Sequence, residues 1–196
     1  MSLKNNRKIA FLTAGGIAPC LSASIGALII EYVKKLPDVE MIGYSHGYKG
    51  LLLGNHIPIT EKVKQNANIL FDFGGSPIGN SRVKLTNTDD CVNRGFIKKG
   101  QDPLEVAAQQ LVKDNVSILH TIGGDDTNTM AASLVEILEK KGIELTVVGL
   151  PKTVDNDVYP IFQTLGASTA AEQSAVFFEN IANENTTSHR QLILMM

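Results

Sequence analysis

The 196-residue sequence contains no tryptophan, only two cysteines, and no apolar run long enough to cross a bilayer. Cys20 and Cys91 lie far apart and match no metal-ligand spacing, so we expect two buried thiols rather than a disulfide or a nucleophile. Lysine and arginine form no long basic run, and the formal net charge of −2 gives no support for nucleic-acid binding. The apolar run at residues 9–12 is too short for a signal peptide. These absences predict a cytoplasmic protein whose partners include neither a membrane nor a nucleic acid.

Segments with the apolar pattern of buried strands alternate with amphipathic helical patterns along the chain. Residues 8–13 read as a strand, and apolar side chains at helical spacing follow between residues 21 and 36. The same order recurs at residues 118–122 and 130–138. This alternation predicts an α/β fold, with a Rossmann-like and mostly parallel sheet covered by helices on both faces. A length of 196 residues fits one such domain or one lobe of a larger protein.

Local signals predict several further elements. Residues 102–105 have the N-cap aspartate, N1 proline and N3 glutamate of a helix start. Residues 169–172 are a second capping-box candidate, which would begin an alanine-rich helix. The middle of the chain is irregular and rich in glycine and asparagine, with short strands expected near residues 57–59 and 69–71. A last strand is expected at residues 191–196.

Three turns that carry glycine or aspartate directly follow predicted strands. They lie at residues 14–19, 123–126 and 151–157. In open α/β sheets, ligands bind outside the carboxyl ends of the strands, so the three turns should share one edge. Glycine lets backbone amides approach an anion closely, and a helix N-terminus attracts phosphate. The glycines and carboxylates of these turns therefore indicate metal-assisted phosphoryl transfer.

Each motif also has an ordinary structural explanation, which the residues alone leave open. Gly15-Gly16 could be only a tight turn, and Arg82 could be an ordinary surface arginine. Asp125 and Asp126 could cap a helix that begins near Thr127. The third turn fits a structural role least well, because a helix cap needs one short polar residue and this turn supplies three beside a lysine. The four histidines are scattered and match no metal spacing.

The motif at residues 123–129, Gly-Gly-Asp-Asp-Thr-Asn-Thr, and the motif at residues 151–157, Pro-Lys-Thr-Val-Asp-Asn-Asp, strongly resemble the pyrophosphate-dependent 6-phosphofructokinases. Residues 14–19 are similar to the first phosphate loop of that family, although the family commonly has an acidic residue at the position of Ile17. Residues 74–82 resemble the family segment that brings an arginine to the phosphoryl donor. The resemblance extends in register over nearly the whole chain.

The resemblance implies that Mg²⁺, pyrophosphate and fructose 6-phosphate bind at this edge of the sheet. Asp155 would be the general base that accepts the proton of the sugar 1-hydroxyl. Thr153 and Asp157 would position the sugar, and Asp125 would hold the magnesium ion. The diphosphate would be bound by five residues, which are Gly15, Gly16, Arg82, Gly124 and Thr127.

Two further residues carry the choice of phosphoryl donor, again by resemblance. Pyrophosphate enzymes of the family have the residues found here at Asp126 and Lys152, whereas ATP enzymes typically have glycine at both positions. The Asp126 carboxylate would exclude the α-phosphate of a nucleotide, and Lys152 would neutralise the leaving phosphate. The resemblance therefore implies phosphoryl transfer from pyrophosphate to fructose 6-phosphate, which gives fructose 1,6-bisphosphate in glycolysis. The catalytic residues that the resemblance implies for this reaction are Asp126, Lys152 and Asp155. An ATP-dependent phosphofructokinase is the alternative.

Members of the family continue into a second α/β lobe that holds the sugar phosphate, and this chain stops before it. We therefore expect residues 1–196 to form a single donor-binding lobe, with the second lobe absent and a homo-oligomer in the full-length enzyme. Three interpretations of the chain remain: it is a fragment of a longer enzyme, a truncated product that only binds phosphate, or a half that needs a partner chain. A non-catalytic phosphate-binding module is the alternative to an enzyme. Lipid kinases and NAD kinases share a related Gly-Gly-Asp turn, but they lack the segment at residues 151–157.

Overall fold

The computed structural model describes residues 8–188, in which six strands form one sheet. The strands are β1 (Lys8–Thr13), β2 (Glu40–Tyr44), β3 (His56–Pro58), β4 (Val116–Gly123), β5 (Thr146–Thr153) and β6 (Leu165–Gly166). Their order in the sheet is β3-β2-β1-β4-β5-β6. All neighbouring strands are parallel except β2 and β3, which are antiparallel. This arrangement confirms the predicted α/β fold with a mostly parallel sheet.

Helices connect the strands, and local sequence explains several of their starts. The helix at Pro103–Lys113, α5, begins at Pro103 because the Asp102 carboxylate accepts the N–H of Leu104 at 3.0 Å. None of the helices in residues 8–188 is both long and apolar enough to span a membrane. The helices are α1 (Leu21–Lys35), α2 (Tyr48–Leu53), α3 (Glu61–Gln65), α4 (Thr88–Asn93), α5 (Pro103–Lys113), α6 (Asp125–Glu139) and α7 (Ala167–Ser188), with a 3-10 helix (Ala67–Asp72) after α3.

The hydrophobic core lies on both faces of β1, which is buried along almost its whole length. Side chains alternate across a strand, and Ile9 and Phe11 belong to the apolar cluster that includes the buried face of α1. Ala10 and Leu12 lie on the other face, in a cluster with apolar residues of α5 and α6 such as Leu111. Burial on both faces explains the continuous apolar run that marks this strand in the sequence.

The β5 end of the sheet is much less covered than its centre. Lys152 is the one buried residue of β5, and Val148 keeps 41% of its surface exposed. α7 has no buried residue among those described, and Phe177 and Phe178 on it are 63% and 55% exposed. The tightly packed part of the molecule is therefore centred on β1 and β4.

Some local predictions differ from the structure or fall outside it. The strand expected at residues 69–71 is wrong, because this segment belongs to the 3-10 helix and packs against α1 instead of pairing with the sheet. Ile69 is 49% exposed, so its apolar pattern did not mark a buried strand. The helix expected from residue 169 begins earlier, at Ala167. The strand expected at residues 191–196 lies outside the described residues.

Candidate functional site

The three polar turns follow β1, β4 and β5, which are adjacent parallel strands. Thr13 is paired with Ile122 and Gly123 with Pro151, so the three strands end at nearly the same level. The Ala14 N–H donates to the Ile122 carbonyl at 3.1 Å, which continues the pairing just past the end of β1. The turns therefore share one edge of the sheet, at the carboxyl ends of its strands.

Gly15 is the point at which the first turn approaches the other two. Its φ is +88°, in the region that favours glycine. A Cβ built on Gly15 would lie 3.8 Å from an atom of each of three residues, Gly124 (N), Lys152 (Nζ) and Thr127 (Oγ1). The backbone of the first turn therefore faces both the start of α6 and the end of β5 at van der Waals distance.

A further segment brings Arg82 to the first turn. The Gly15 N–H donates to the Ser81 carbonyl at 3.0 Å, and the Asn80 side-chain amide donates to the Gly15 carbonyl at 2.7 Å. A Cβ built on Gly16 would lie 3.5 Å from Arg82 Nη2. One backbone and one side-chain hydrogen bond thus hold the segment that carries Arg82 beside the glycine turn, although the two segments are far apart in sequence.

A cavity of about 260 Å³ lies between the first turn and α6. Its wall carries two cationic side chains, Arg82 and Lys84, and one carboxylate, that of Asp126. Glycine backbone and convergent charged groups in a concave site fit a small anion. The lining residues are Ala14, Gly15, Gly16, Arg82, Val83, Lys84, Asp126, Thr127 and Met130.

Lys152 links the end of β5 to the first turn. Its side chain is buried, with 3% of the residue surface exposed, and its ammonium donates a hydrogen bond to the Gly16 carbonyl. Burial is the main cause that lowers the pKa of Lys152, and the Arg82 guanidinium lowers it further. Because an ammonium has three N–H donors, donors remain for an anion bound beside Gly16.

α6 presents an N-terminus that no side chain of the described residues caps. The helix begins at Asp125, and Gly124 occupies the N-cap position. Asp125 and Asp126 therefore lie inside the first turn of α6. The alternative hypothesis, that they cap a helix starting near Thr127, is wrong. Uncapped amides at a helix N-terminus are available to an anion, and the helix dipole favours negative charge there.

Two polar residues that sequence reasoning missed hold the start of α6 in place. The buried Tyr48 hydroxyl donates to the Thr127 carbonyl at 2.7 Å. The Asn128 amide donates to the Gly123 carbonyl at 3.0 Å, and its oxygen accepts from the Thr121 hydroxyl at 2.9 Å. Asn128 belongs to the Gly-Gly-Asp-Asp-Thr-Asn-Thr motif, which was a usable signal, whereas no local pattern marks Tyr48.

The turn after β5 is organised by its own polar side chains. The Thr153 hydroxyl accepts the Asp155 N–H at 3.1 Å and donates to the Asp157 carboxylate at 3.1 Å. Asn156 adopts a φ of +55°, and its side-chain oxygen accepts the Thr164 N–H at 2.8 Å. Asp155 is exposed, and no donor among the described residues occupies its carboxylate. The turn therefore holds this carboxylate at the protein surface, where a substrate can reach it.

The structure separates the predicted site residues into two groups. The cavity wall or its immediate surroundings contain Gly15, Gly16, Arg82, Gly124, Asp126, Thr127 and Lys152. Four others do not line the cavity: Asp125 lies in the first turn of α6, Thr153 is the last residue of β5, and Asp155 and Asp157 lie in the turn after β5. Between residues 8 and 188, no three His, Cys, Asp or Glu side chains form a group that could hold a metal ion. A magnesium ion at this edge would therefore take the rest of its oxygen ligands from water and from a bound substrate.

The cysteines and the buried histidine are not part of this cavity. Cys20 and Cys91 are buried free thiols, as predicted, and burial raises the pKa of both. In β4, His120 Nε2 lies 2.7 Å from the Tyr32 hydroxyl, and burial lowers the pKa of His120 to about 4. His189 lies outside the described residues.

Comparisons with known proteins identify the family of the chain. The family model for phosphofructokinase matches residues 8–196. Relatives from Methylotuvimicrobium alcaliphilum and Methylomonas methanica, both named pyrophosphate–fructose 6-phosphate 1-phosphotransferase, are each 60% identical over 188 residues. These matches cover 96% of this chain and 46% of each relative, so the chain spans about half the length of the curated relatives it matches.

The fold is also shared with a solved structure. A pyrophosphate-dependent phosphofructokinase from Marinobacter aquaeolei superposes with a TM-score of 0.68 and 20% sequence identity. That match covers 82% of this chain and 37% of the other. The family model covers the whole described region, and the chain therefore belongs to the phosphofructokinase family.

Proposed function

We propose that this chain is the pyrophosphate-binding part of a pyrophosphate-dependent 6-phosphofructokinase. The reaction transfers one phosphoryl group from pyrophosphate to the 1-hydroxyl of fructose 6-phosphate, giving fructose 1,6-bisphosphate and phosphate in glycolysis. The observation that carries the proposal is the cavity in which Gly15, Gly16, Arg82 and Asp126 meet the start of α6. The name shared by the two relatives that are 60% identical supports the same activity.

In this proposal the diphosphate is bound mainly by backbone amides. Gly15 lines this part of the site, but its own N–H is bonded to the Ser81 carbonyl, so the first turn contributes the N–H of Gly16. The uncapped start of α6 contributes Gly124 and Thr127. Arg82 supplies the one guanidinium on the cavity wall, a group that matches phosphate oxygens in a bidentate manner. The number of donors and their convergence favour two linked phosphates over a single carboxylate ligand.

The choice of pyrophosphate over ATP rests on Asp126 and Lys152. Asp126 lines the cavity at the start of α6, where its carboxylate repels a third phosphate. The buried Lys152 ammonium lies beside Gly16, where it neutralises the phosphate that leaves. An ATP-dependent enzyme needs room for a nucleotide, and this pair of charged side chains occupies the corresponding positions.

The proton of the sugar hydroxyl is taken by Asp155. Its carboxylate is exposed on a turn whose backbone is held by the hydroxyl of Thr153. As the oxygen of the 1-hydroxyl forms its bond to phosphorus, its proton passes to Asp155, and the bond to the leaving phosphate breaks. Thr153 and Asp157 orient the sugar end of the site, and their mutual hydrogen bond keeps the turn in one shape.

Asp125 is the residue that would hold Mg²⁺. Its carboxylate is exposed in the first turn of α6, and no lysine or arginine in residues 8–188 pairs with it. Magnesium sites in phosphoryl-transfer enzymes commonly use one or two carboxylates together with substrate phosphates, so a single aspartate fits this ion. When bound, Mg²⁺ supplies charge neutralisation on the phosphates.

We propose that the chain forms one donor-binding lobe and that the sugar phosphate is held by a second lobe of the parent enzyme. The parent enzyme acts in the cytoplasm as a homo-oligomer in this proposal. It needs neither a membrane nor a nucleic acid as a partner, and its substrates are pyrophosphate and fructose 6-phosphate.

The test uses a graft, because the relatives are about twice as long as this chain. Residues 8–188 replace the matching segment of the Methylotuvimicrobium alcaliphilum relative, which is 60% identical over the aligned region. We expect the graft to use pyrophosphate in preference to ATP. Asp155→Asn in the graft should lower kcat by about 100-fold or more while pyrophosphate still binds, because the general base is lost. The exposed Asp38→Asn serves as the matched control.

Turnover that survives Asp155→Asn would contradict the assignment of the base. A graft that prefers ATP would support the ATP-dependent alternative. Pyrophosphate binding without turnover in a correctly folded graft would instead support a phosphate-binding module.

A further inference from the structure

An ion pair joins two walls of the cavity, and nothing in the proposed reaction explains it. Lys84 Nζ lies 2.5 Å from Asp126 Oδ2. Lys84 belongs to the segment that carries Arg82, whereas Asp126 belongs to the first turn of α6. Both residues line the cavity. We refer to Lys84 and Asp126 together as the cavity ion pair.

The backbone at both ends of this pair is firmly anchored. Val83 and Leu85, on either side of Lys84, are each 1% exposed, and the Leu85 N–H donates to the sulfur of Met130 at 2.9 Å. Thr127, next to Asp126, is 2% exposed. The two charged side chains therefore extend from backbone positions that packing fixes.

Stability does not account for the cavity ion pair. The side chains of Lys84 and Asp126 are 52% and 68% exposed, and ion pairs in such positions contribute little to the free energy of unfolding. Both side chains line the cavity, so their charges act directly on an anion bound there even though they contribute little to stability. A carboxylate there repels phosphate, and its repulsion is reduced when a lysine ammonium is in contact with it.

We propose that Lys84 is a specificity-determining residue for the phosphoryl donor and that it acts through Asp126. This inference rests on the proposed function, in which the cavity binds pyrophosphate. Lys84 holds the Asp126 carboxylate against one wall and offsets part of its charge, so two phosphates are tolerated. The paired side chains occupy the space of a third phosphate, and the charge that remains on Asp126 repels it. Without Asp126, the Lys84 ammonium would be released and would attract an additional phosphate.

This arrangement makes opposite predictions for the two members of the pair. Lys84→Gln leaves an uncompensated carboxylate beside the donor, which should weaken pyrophosphate binding roughly tenfold. Asp126→Asn frees the lysine, which should raise the affinity for tripolyphosphate relative to pyrophosphate roughly tenfold. In the double variant that relative gain should disappear, since the cation that would hold the third phosphate is gone.

The experiment is calorimetric titration of the 196-residue chain with magnesium pyrophosphate and with magnesium tripolyphosphate. It compares the unchanged chain, Lys84→Gln, Asp126→Asn and the double variant. Lys99→Gln, which removes an exposed lysine outside the cavity, is the control and should leave both affinities unchanged. The ratio of the two affinities is the informative readout, because a general loss of structure would weaken both ligands together.

One outcome that overturns the proposal requires that the unchanged chain binds pyrophosphate. In that case, the proposal is wrong if Asp126→Asn and the double variant raise the affinity for tripolyphosphate relative to pyrophosphate by the same factor. It is also overturned if Lys84→Gln leaves pyrophosphate affinity unchanged. Failure of the unchanged, folded chain to bind pyrophosphate would overturn the proposed role of the cavity itself, and the inference would fall with it. The two kinds of failure are therefore distinguishable.

Discussion

At the scale of single residues, Lys152 has the most unusual environment of the proposed catalytic groups. An exposed lysine at the end of a strand would be an ordinary surface charge, but this one is 3% exposed and bonded to the Gly16 carbonyl. Burial of an ammonium costs free energy unless donors are satisfied, and a bound anion would satisfy the remaining donors. The sequence indicates the residue, whereas its burial depends on the turn after β1.

His120 provides a residue-scale prediction about pH. Burial lowers its pKa from 6.5 to about 4, so the folded chain keeps the ring neutral where the unfolded chain already takes up a proton. Protonation of His120 therefore leaves the free energy of unfolding unchanged above about pH 6.5. As the pH falls toward 4, it lowers the free energy of unfolding by roughly 3 kcal/mol. Urea unfolding at pH 7 and at pH 4 should show that His120→Gln removes most of this loss.

The exposed histidine His46 offers the matched control for that measurement. His46 has a φ of +61°, and asparagine tolerates this conformation, so His46→Asn is the suitable variant. The pH dependence of its unfolding should match that of the unchanged chain. If His120→Gln loses as much stability as the unchanged chain on acidification, the prediction is wrong.

At the scale of elements, local signals were sufficient where an element carries its own start and its own periodicity. α5 is an example, since Asp102 and Pro103 define its first turn and the apolar face follows at helical spacing. The segment at residues 69–71 shows the limit of this reasoning. Its apolar residues resemble a short strand, but the segment forms a 3-10 helix that packs against α1.

The contact between α2 and α6 gives an element-scale prediction. Tyr48 is fully buried, and its hydroxyl donates to the Thr127 carbonyl in the first turn of α6. Tyr48→Phe removes this hydrogen bond without leaving a large cavity, so the free energy of unfolding should fall by about 1 kcal/mol. Pyrophosphate affinity should also decrease slightly, because the start of α6 is held less firmly. Urea unfolding and calorimetry measure the two effects.

Tyr159→Phe is the control for this variant. Tyr159 is 95% exposed, so loss of its hydroxyl should change neither stability nor affinity. A Tyr48→Phe chain as stable as the unchanged one would show that the hydroxyl does not contribute to the position of α6.

At the scale of the whole molecule, exposed apolar side chains are concentrated beyond β5. Phe162 is 95% exposed, and Val176, Phe177 and Phe178 on α7 are each at least half exposed. Large apolar side chains exposed in this number promote association in water. This distribution contrasts with the buried surroundings of β1 and β4.

We expect the isolated chain to self-associate through these side chains at high concentration. Phe177→Ser combined with Phe178→Ser should reduce self-association in sedimentation velocity, because it removes two large exposed rings from α7. Gln173→Ser, an exposed polar change on the same helix, should have no such effect. Equal self-association in both variants would contradict the prediction that the chain associates through the two phenylalanines.

The amino-acid sequence by itself determined the α/β class, the strands that precede the polar turns, and the residues from which a phosphate site can be built. These follow from periodicity, glycine and capping chemistry, which act over a few neighbouring residues. Tertiary structure alone decided that Lys152 reaches Gly16, that Tyr48 holds Thr127, and that Lys84 pairs with Asp126. The partners in these contacts are distant in sequence, and only strand order, register and packing bring them within hydrogen-bond distance.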